Sequence, residues 1–518
     1  MLAHIPSSCL HGVDGSPVTV EVHLSNGLPG YTVVGLPDAS CRESRDRVRA
    51  ALLSSGLSWY QKRITVNLAP TGMRKAGAGL DLPIAVGLLM AGGEVETAST
   101  EGIAFIGELG LDGSIRTVPG MVSLVDAVRA NVVVVSPAAV PEAQIPGGKE
   151  VRAVGTLAEL VAMLKGMKPW PPPPRPVLAV AGSRVEPGGG SRARRTRFFD
   201  MADVRGQRLG RRALEIAAAG AHHVMLVGPP GSGKTMLARR LLGILPLLTR
   251  DEAVEVARVR SAAGLGVDGD VLSRTPPFRA PHHGASMAAL VGGGSSWMRP
   301  GEISLADRGV LFLDELGEFQ SGVLDGLREP LEEGVVRISR ARSSAVFPAR
   351  FLLVAAMNPC PCGEGSVPGQ CRCLPPALAR YARRLSGPLV DRFDIRIGLS
   401  RPAPEELMSK DRGEASAPIA RRVATARQVA LDRGGCLNGA MPDADLDLHA
   451  PLTTRAEAIL ARKLATGSLS ARGMVRVRRV ARTIADLEGC SGPVEEHHLA
   501  EAIEMRAGIG TLAPELAA

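Results

Sequence analysis

Val224-Met-Leu-Val-Gly-Pro-Pro-Gly-Ser-Gly-Lys-Thr235 decides how this chain is read. Four apolar residues predict a short buried strand. The next eight fit G-x-x-x-x-G-K-T, a glycine-rich turn that opens a helix. Backbone N–H groups of such a turn, with the N-terminus of the helix behind it, make a concave anion site. Gly228, Pro229, Pro230, Gly231, Ser232 and Gly233 form the cradle. Lys234 is expected to reach the β- and γ-phosphates of ATP, and the Thr235 hydroxyl to hold Mg²⁺. A chance glycine-rich turn is disfavoured by the strand before it.

A second stretch completes the chemistry. Gly309-Val-Leu-Phe-Leu-Asp-Glu315 reads as a buried parallel strand with two carboxylates at its C-terminal edge, where ligands sit in open α/β sheets. Asp314 fits the carboxylate on the Mg²⁺ side of a P-loop site. Glu315 is placed to polarise a water for attack on the γ-phosphate. Two solvated acids at a strand end would be the bland alternative. With the P-loop present, hydrolysis is the stronger expectation.

Length and composition bound the rest. A chain of 518 residues is long enough for two to four domains. Lys and Arg number 61 against 52 Asp and Glu, so nucleic acid is a plausible partner. Aromatic residues are only 3%, which argues against a base-stacking surface and for arginine and main-chain grips on phosphate. Met1-Leu-Ala-His-Ile-Pro6 lacks the basic and apolar segments of a signal peptide, and no apolar run approaches a membrane span. The expected location is cytoplasmic, with no membrane partner.

The expected fold class is α/β with an all-helical end. Residues 1–165 alternate strand-like runs (18–22, 64–68, 131–135) with helix-like stretches (44–53, 81–90), an α/β domain. Residues 166–197 form a linker, with consecutive prolines at 171–174 and a Gly-Gly-Gly-Ser run at 188–191. Its Arg192, Arg194, Arg195 and Arg197 read as a solvated charge run. Residues 198–398 hold the nucleotide machinery. Residues 399–518 read as a helical lid, with helices over 415–431, 454–464, 470–487 and 494–505.

Further motifs carry a resemblance. Phe278-Arg-Ala-Pro-His-His283, Arg299-Pro-Gly-Glu-Ile-Ser304, Asn358-Pro-Cys-Pro-Cys-Gly363 and Leu385-Ser-Gly-Pro-Leu-Val-Asp-Arg-Phe-Asp394 join the two motifs above. Together they resemble the magnesium-chelatase-like AAA+ ATPases of the ComM/YifB family. Val34-Gly-Leu-Pro-Asp-Ala39 and Arg63-Ile-Thr-Val-Asn-Leu-Ala-Pro70 resemble the same family's N-terminal module. The resemblance implies a central AAA+ P-loop core and a magnesium-chelatase-like C-terminal lid.

It also implies roles residue by residue. Asn358 would be the polar sensor that orients the attacking water, and Arg392 the arginine finger given to a neighbouring subunit. For Arg392 the alternative is an ion pair with Asp391 or Asp394. Arg472 would be the lid arginine, with Arg476 and Arg479 as alternatives. A finger acting in trans implies a homo-hexameric ring. The segment 337–344 resembles a pore hairpin, in which Arg340 and Arg342 would face DNA; an ordinary exposed hairpin is the alternative. The insert at 292–297 is a second pore candidate, with a flexible glycine turn as the alternative.

The N-terminal domain resembles the Lon protease domain, whose chemistry needs a Ser-Lys dyad. Lys75-Ala-Gly-Ala-Gly79 lacks the serine, and the stretches 107–116 and 120–122 lack the lysine. Without a nucleophile there is no acyl-enzyme. Cys360, Cys362, Cys371 and Cys373 form two Cys-x-Cys pairs that could supply a structural Zn²⁺ site, though the spacing is tighter than the usual C-x₂₋₄-C. Free thiols on a loop are the alternative. His282 and His283 are adjacent and are expected to project differently, as structural residues.

The expected function is a hexameric AAA+ ATPase motor on single-stranded or branched DNA, implied by the resemblance to act as a helicase or in branch migration during natural transformation. A protein-remodelling ATPase and a magnesium-chelatase motor subunit are the alternatives.

Overall fold

The computed structural model describes residues 2–75, 77–174, 199–267, 274–294, 298–340, 343–365, 371–385, 387–409 and 412–507. The four linker arginines, Trp297 and Arg342 lie outside these, and only the backbone of Arg340 is described.

Alternation builds the first sheet. Strands Leu2–His11 and Asp14–Ser25 pair antiparallel, with Leu2 opposite His23. Val18, Val20, Val22 and Leu24 all turn inward, as the two-residue period requires. Strand Arg63–Ala69 adds antiparallel to Asp14–Ser25 and parallel to Gly30–Val34. Helix Ala39–Ser54 makes the crossover between the parallel pair. It begins earlier than expected because Asp38 caps it, Oδ1 accepting from the Cys41 N–H at 2.8 Å. Helix Asp81–Ala91 is buried on every side, which explains why its sequence has no polar face. A small parallel sheet of Ile103–Phe105, Val132–Val135 and Glu150–Ala153 follows.

The central sheet has five parallel strands in the order Phe278–Arg279, Val310–Leu313, Leu352–Met357, Val224–Val227, Ile395–Gly398. Its three middle strands are wholly apolar and buried, as a sheet covered on both faces demands. Each fully buried Val, Leu or Met is worth about 1.5–3 kcal/mol relative to exposure. The strand order matters more than the strands themselves. Leu352–Met357 lies between the other two, with Val227 opposite Met357 and Leu313 opposite Ala355. The residues that follow each strand (Gly228, Asn358, Asp314) therefore leave the sheet side by side at one edge.

Beyond Ile395–Gly398 the described residues are helical, without a strand; the main helices are Ser416–Gly434, Thr454–Ala465, Ala471–Leu487 and Glu496–Ala507. Val423, Val480 and Leu499 from these helices share one apolar core with Leu226, Val354 and Ile395 of the sheet. The lower face of the sheet is thus covered by the end of the chain. No helix among the described residues is long and apolar enough to cross a membrane.

Strands Val335–Arg340 and Ser343–Pro348 form an antiparallel hairpin, Arg340 opposite Ser343. Arg337 is tied to Glu329 at 3.1 Å and to Glu333. Val13, in the first turn of the chain, packs into the same core as Ala345 and Phe347 of this hairpin. The N-terminal helix Met121–Ala127 lies against helix Arg250–Ala262, with the Gly120 N–H donating to the Ser261 carbonyl at 2.9 Å.

Candidate active site

The glycine-rich turn is shaped by its neighbours. Gly233 has φ +86°, open to glycine and strained for other residues. A Cβ on Gly228 would stand 2.4 Å from the Leu399 carbonyl oxygen and 2.8 Å from Ser232 Oγ. Gln207 Nε2 holds the turn from outside, donating to the carbonyls of Ser232 at 3.0 Å and Ser400 at 2.6 Å. Arg401 Nε donates to the Pro230 carbonyl at 3.0 Å.

Lys234 starts helix Lys234–Arg240. Its ammonium folds back over the turn, donating to the carbonyls of Gly228 at 2.6 Å and Pro229 at 3.0 Å, and to Asn358 Oδ1 at 3.2 Å. Burial lowers its pKa, against the opposing pull of the Asp314 carboxylate. Next to it the Thr235 hydroxyl donates to Asp314 Oδ2 at 2.7 Å. The Glu315 N–H donates to the other Asp314 oxygen at 3.0 Å. An ammonium, a hydroxyl, a carboxylate and an amide oxygen therefore meet in one place. This donor set fits a polyphosphate with a divalent cation, the hard oxygen ligands facing the metal.

Glu315 takes a left-handed backbone, φ +53°, as the chain turns sharply off its strand. Its side chain does not stand free: His283 Nδ1 lies 2.9 Å from Glu315 Oε2. The two adjacent histidines do not diverge as expected. Their ring centroids are 4.0 Å apart, because the chain after Phe278–Arg279 leaves the extended conformation that would have sent them to opposite sides. His283, expected only as a structural residue, is therefore a neighbour of the site. Tyr381 is another, its hydroxyl donating to the Asn358 carbonyl at 3.1 Å.

The arginines sort by their partners. Arg392 pairs with Glu332 and donates from NH1 to the Pro388 carbonyl at 2.8 Å, while its Nε is buried without a hydrogen-bond partner among the described residues. Neither carboxylate expected for it is its partner. Asp391 takes Arg506 at 3.4 Å, and Asp394 takes Arg476. Burial lowers the Arg392 pKa, with Arg476, Arg472 and Arg328 adding repulsion. Arg476 also donates to the Arg392 carbonyl at 3.2 Å. Arg479 is bound to Asp443 at 2.7 Å and to the Met441 carbonyl. Arg472, one turn before Arg476, is exposed and engages no such partner among the described residues.

The four clustered cysteines also meet. Their sulfur atoms all lie within 4.8 Å of one another, beside the turn. Burial pushes the Cys360 thiol up to about 12, whereas N–H groups of Glu364 and Arg372 pull exposed Cys362 down to about 6.

Comparison with known proteins agrees with this layout. Residues 200–407 match the family model described as magnesium chelatase, subunit ChlI. Residues 20–139 match that of subunit ChlI of Mg-chelatase, and residues 413–506 that of the ChlI C-terminal region. The chain is 41% identical to the competence protein ComM of Haemophilus influenzae over 99% of its own length and 98% of the relative's. It is 42% identical to the uncharacterized protein YifB of Escherichia coli, over 96% and 95%. The magnesium-chelatase 67 kDa subunit of Heliobacterium mobile is 29% identical over only 44% of this chain and 38% of its own. With identity at this level running end to end, the chain belongs to the ComM/YifB family of magnesium-chelatase-like AAA+ proteins.

Proposed function

We propose that this chain is an ATP-hydrolysing motor that acts on DNA as a homo-hexameric ring, unwinding or migrating branched DNA during recombination of incoming strands in natural transformation. The meeting of Lys234, Thr235, Asp314 and Asn358 at one sheet edge carries the ATPase part of the reading, and the full-length similarity to a competence protein supports the DNA part. In it the turn from Gly228 to Gly233 and Lys234 hold the phosphates, and Thr235 and Asp314 hold Mg²⁺. The metal when bound neutralises charge on the β- and γ-phosphates. Glu315 takes the proton from the attacking water, and Asn358 orients that water.

Arg392 completes the site of the neighbouring subunit. Within this chain its guanidinium is held by Glu332 and the Pro388 carbonyl, while Asp391 and Asp394 take other arginines and leave it to be presented outward. Arg472 is the lid arginine in this reading, because Arg476 and Arg479 are both committed to carboxylates. DNA phosphates are assigned in this reading to Arg340 and Arg342, by the resemblance of the segment 337–344 to a pore hairpin. Residues 1–165 serve as a Lon-like module without a dyad, 166–197 as a linker, 198–398 as the motor core and 399–518 as the lid. A Zn²⁺ on the four clustered cysteines belongs to the same picture, and the setting is cytoplasmic.

A magnesium-chelatase motor subunit is the second reading, favoured by the match of three stretches of the chain to magnesium-chelatase subunit families. It is weakened by the Heliobacterium subunit, which aligns with less than half of this chain. The test is strand separation on a forked duplex and branch movement on a four-way junction, with ATP and Mg²⁺, beside Glu315→Gln. Wild type should act on at least one substrate and the variant on neither. ATP turnover with no effect on either substrate would contradict the DNA motor.

A further inference from the structure

Two short segments of chain meet beside the P-loop and bring four thiols together. One follows Asn358 directly and carries Cys360 and Cys362; the other carries Cys371 and Cys373 and leads into helix Pro375–Arg383. The first turn is closed by the Gly363 N–H donating to the Cys360 carbonyl at 3.0 Å. Three of the sulfur contacts are 3.3 Å (Cys360–Cys362), 3.7 Å (Cys371–Cys360) and 3.9 Å (Cys362–Cys371). All eight cysteines of the chain are free thiols, so no disulfide gathers these four.

A tetrahedral ion with metal–sulfur bonds of about 2.3 Å has sulfur–sulfur edges of about 3.8 Å. The observed spacings bracket that value. Four thiols at this spacing have room for a single ion between them, and soft thiolate ligands select zinc over hard cations such as Mg²⁺. Four protein ligands leave no open position, so such a centre holds structure and does no chemistry on a substrate.

Its position gives it a task. Gly363 lies against the P-loop: a Cβ there would come within 2.6 Å of Pro230 Cδ. Arg401 bridges the same two segments, bonded to the Pro230 carbonyl at 3.0 Å and to Glu364 at 2.6 Å. On the other side Tyr381, in the helix after Cys373, holds the Asn358 carbonyl. The cysteines thus sit where the sensor strand, the P-loop and that helix come together.

We propose that Cys360, Cys362, Cys371 and Cys373 bind one Zn²⁺ as a closed tetrathiolate centre that braces Asn358 and the outer wall of the P-loop. The bracing role rests on the reading of this loop as an ATP site; the metal centre does not. Zinc occupancy then governs ATP turnover through the placement of Asn358, two residues from the first ligand.

The experiment uses the full chain, purified under reductant without added metal. Elemental analysis should give one zinc per chain, and Co²⁺ replacement should give the visible bands of tetrahedral cobalt thiolate. Cys362→Ser/Cys371→Ser should lose both signals, and Cys436→Ser/Cys490→Ser should keep both. Stripping the wild-type chain with a chelator and restoring Zn²⁺ separates loss of metal from a folding defect in the variant. On stripping, kcat for ATP should fall roughly tenfold to 10²-fold, the scale of a small misplacement of a reacting group, and recover with Zn²⁺. Reduced protein that holds no zinc and develops no cobalt bands overturns the proposal, as does stoichiometric zinc retained by the double serine variant. Stoichiometric zinc with unchanged turnover after stripping overturns the bracing role. Zinc present with no ATP hydrolysis under any condition would leave the centre standing and remove the ATPase reading.

Discussion

His283 Nδ1 and Glu315 Oε2 are 2.9 Å apart, so the carboxylate proposed as the base is engaged by a residue from the segment after the neighbouring strand. A half-exposed pair of this kind is worth up to about 1 kcal/mol. Releasing it should free the carboxylate for water. His283→Ala is therefore expected to raise basal kcat up to about fivefold, with KM for ATP little changed. Steady-state ATPase kinetics measure this, and a tenfold fall in kcat would show instead that His283 supports the chemistry.

Lys234 and Glu315 should fail in different ways. Lys234→Ala removes the ammonium that caps the turn, so binding of a fluorescent ATP analogue should weaken by more than about tenfold, the cost of a lost charged hydrogen bond. Glu315→Gln keeps the cradle intact, so binding should survive while kcat falls roughly 10²–10⁴-fold. Equal loss of binding in both variants would contradict the division of roles.

Arg392 tests the ring. Arg392→Ala is expected to cut kcat about 10³-fold or more. Mixing it with Lys234→Ala should restore part of the activity, because a Lys234→Ala subunit still presents Arg392 to its neighbour's intact P-loop. Absence of any rescue across mixing ratios, in subunits shown to exchange, would place Arg392 outside the neighbouring site.

Asp394 tests what holds the lid to the sheet. Burial alone would raise its pKa, but the hydrogen bond from His222 and the charge of Arg476 hold it far below the usual carboxylate range. A folded pKa below the unfolded value of about 3.9 means that this stabilisation is fully present above pH 4 and is lost as pH falls further. Asp394→Asn should destabilise the chain by about 3–5 kcal/mol at pH 7, as when one partner of a buried pair is removed. The difference from wild type should shrink below pH 4. Denaturant unfolding at several pH values measures both, and a constant difference across the acid range would contradict the linkage.

Much of the framework was legible in the sequence. The strands at 224 and 310 announced themselves as apolar runs ending in glycine and in acid, and the helices beyond 415 stood out as the stretches of the chain's last part. Their ends moved where a cap decides them: the last turn of Ser416–Gly434 is set by Gly435 at φ +69°. Strand order was not legible. Nothing local to Leu352–Met357 says that it enters between two strands that precede it, since that choice is made by packing on both faces. The same holds for side chains whose partners are remote in sequence. His283 reaches Glu315 across 32 positions, and Arg476 reaches Asp394 across 82, so a pattern of spacings could place these residues on elements and could not pair them.

Steady-state ATPase with and without single-stranded, duplex and forked DNA, over a range of salt and beside Glu315→Gln, tests the central claim most directly. The account predicts hydrolysis that DNA stimulates, with stimulation falling steeply as salt rises because the grip is on phosphates, and none of it in the variant. Hydrolysis indifferent to every DNA at low salt would contradict it.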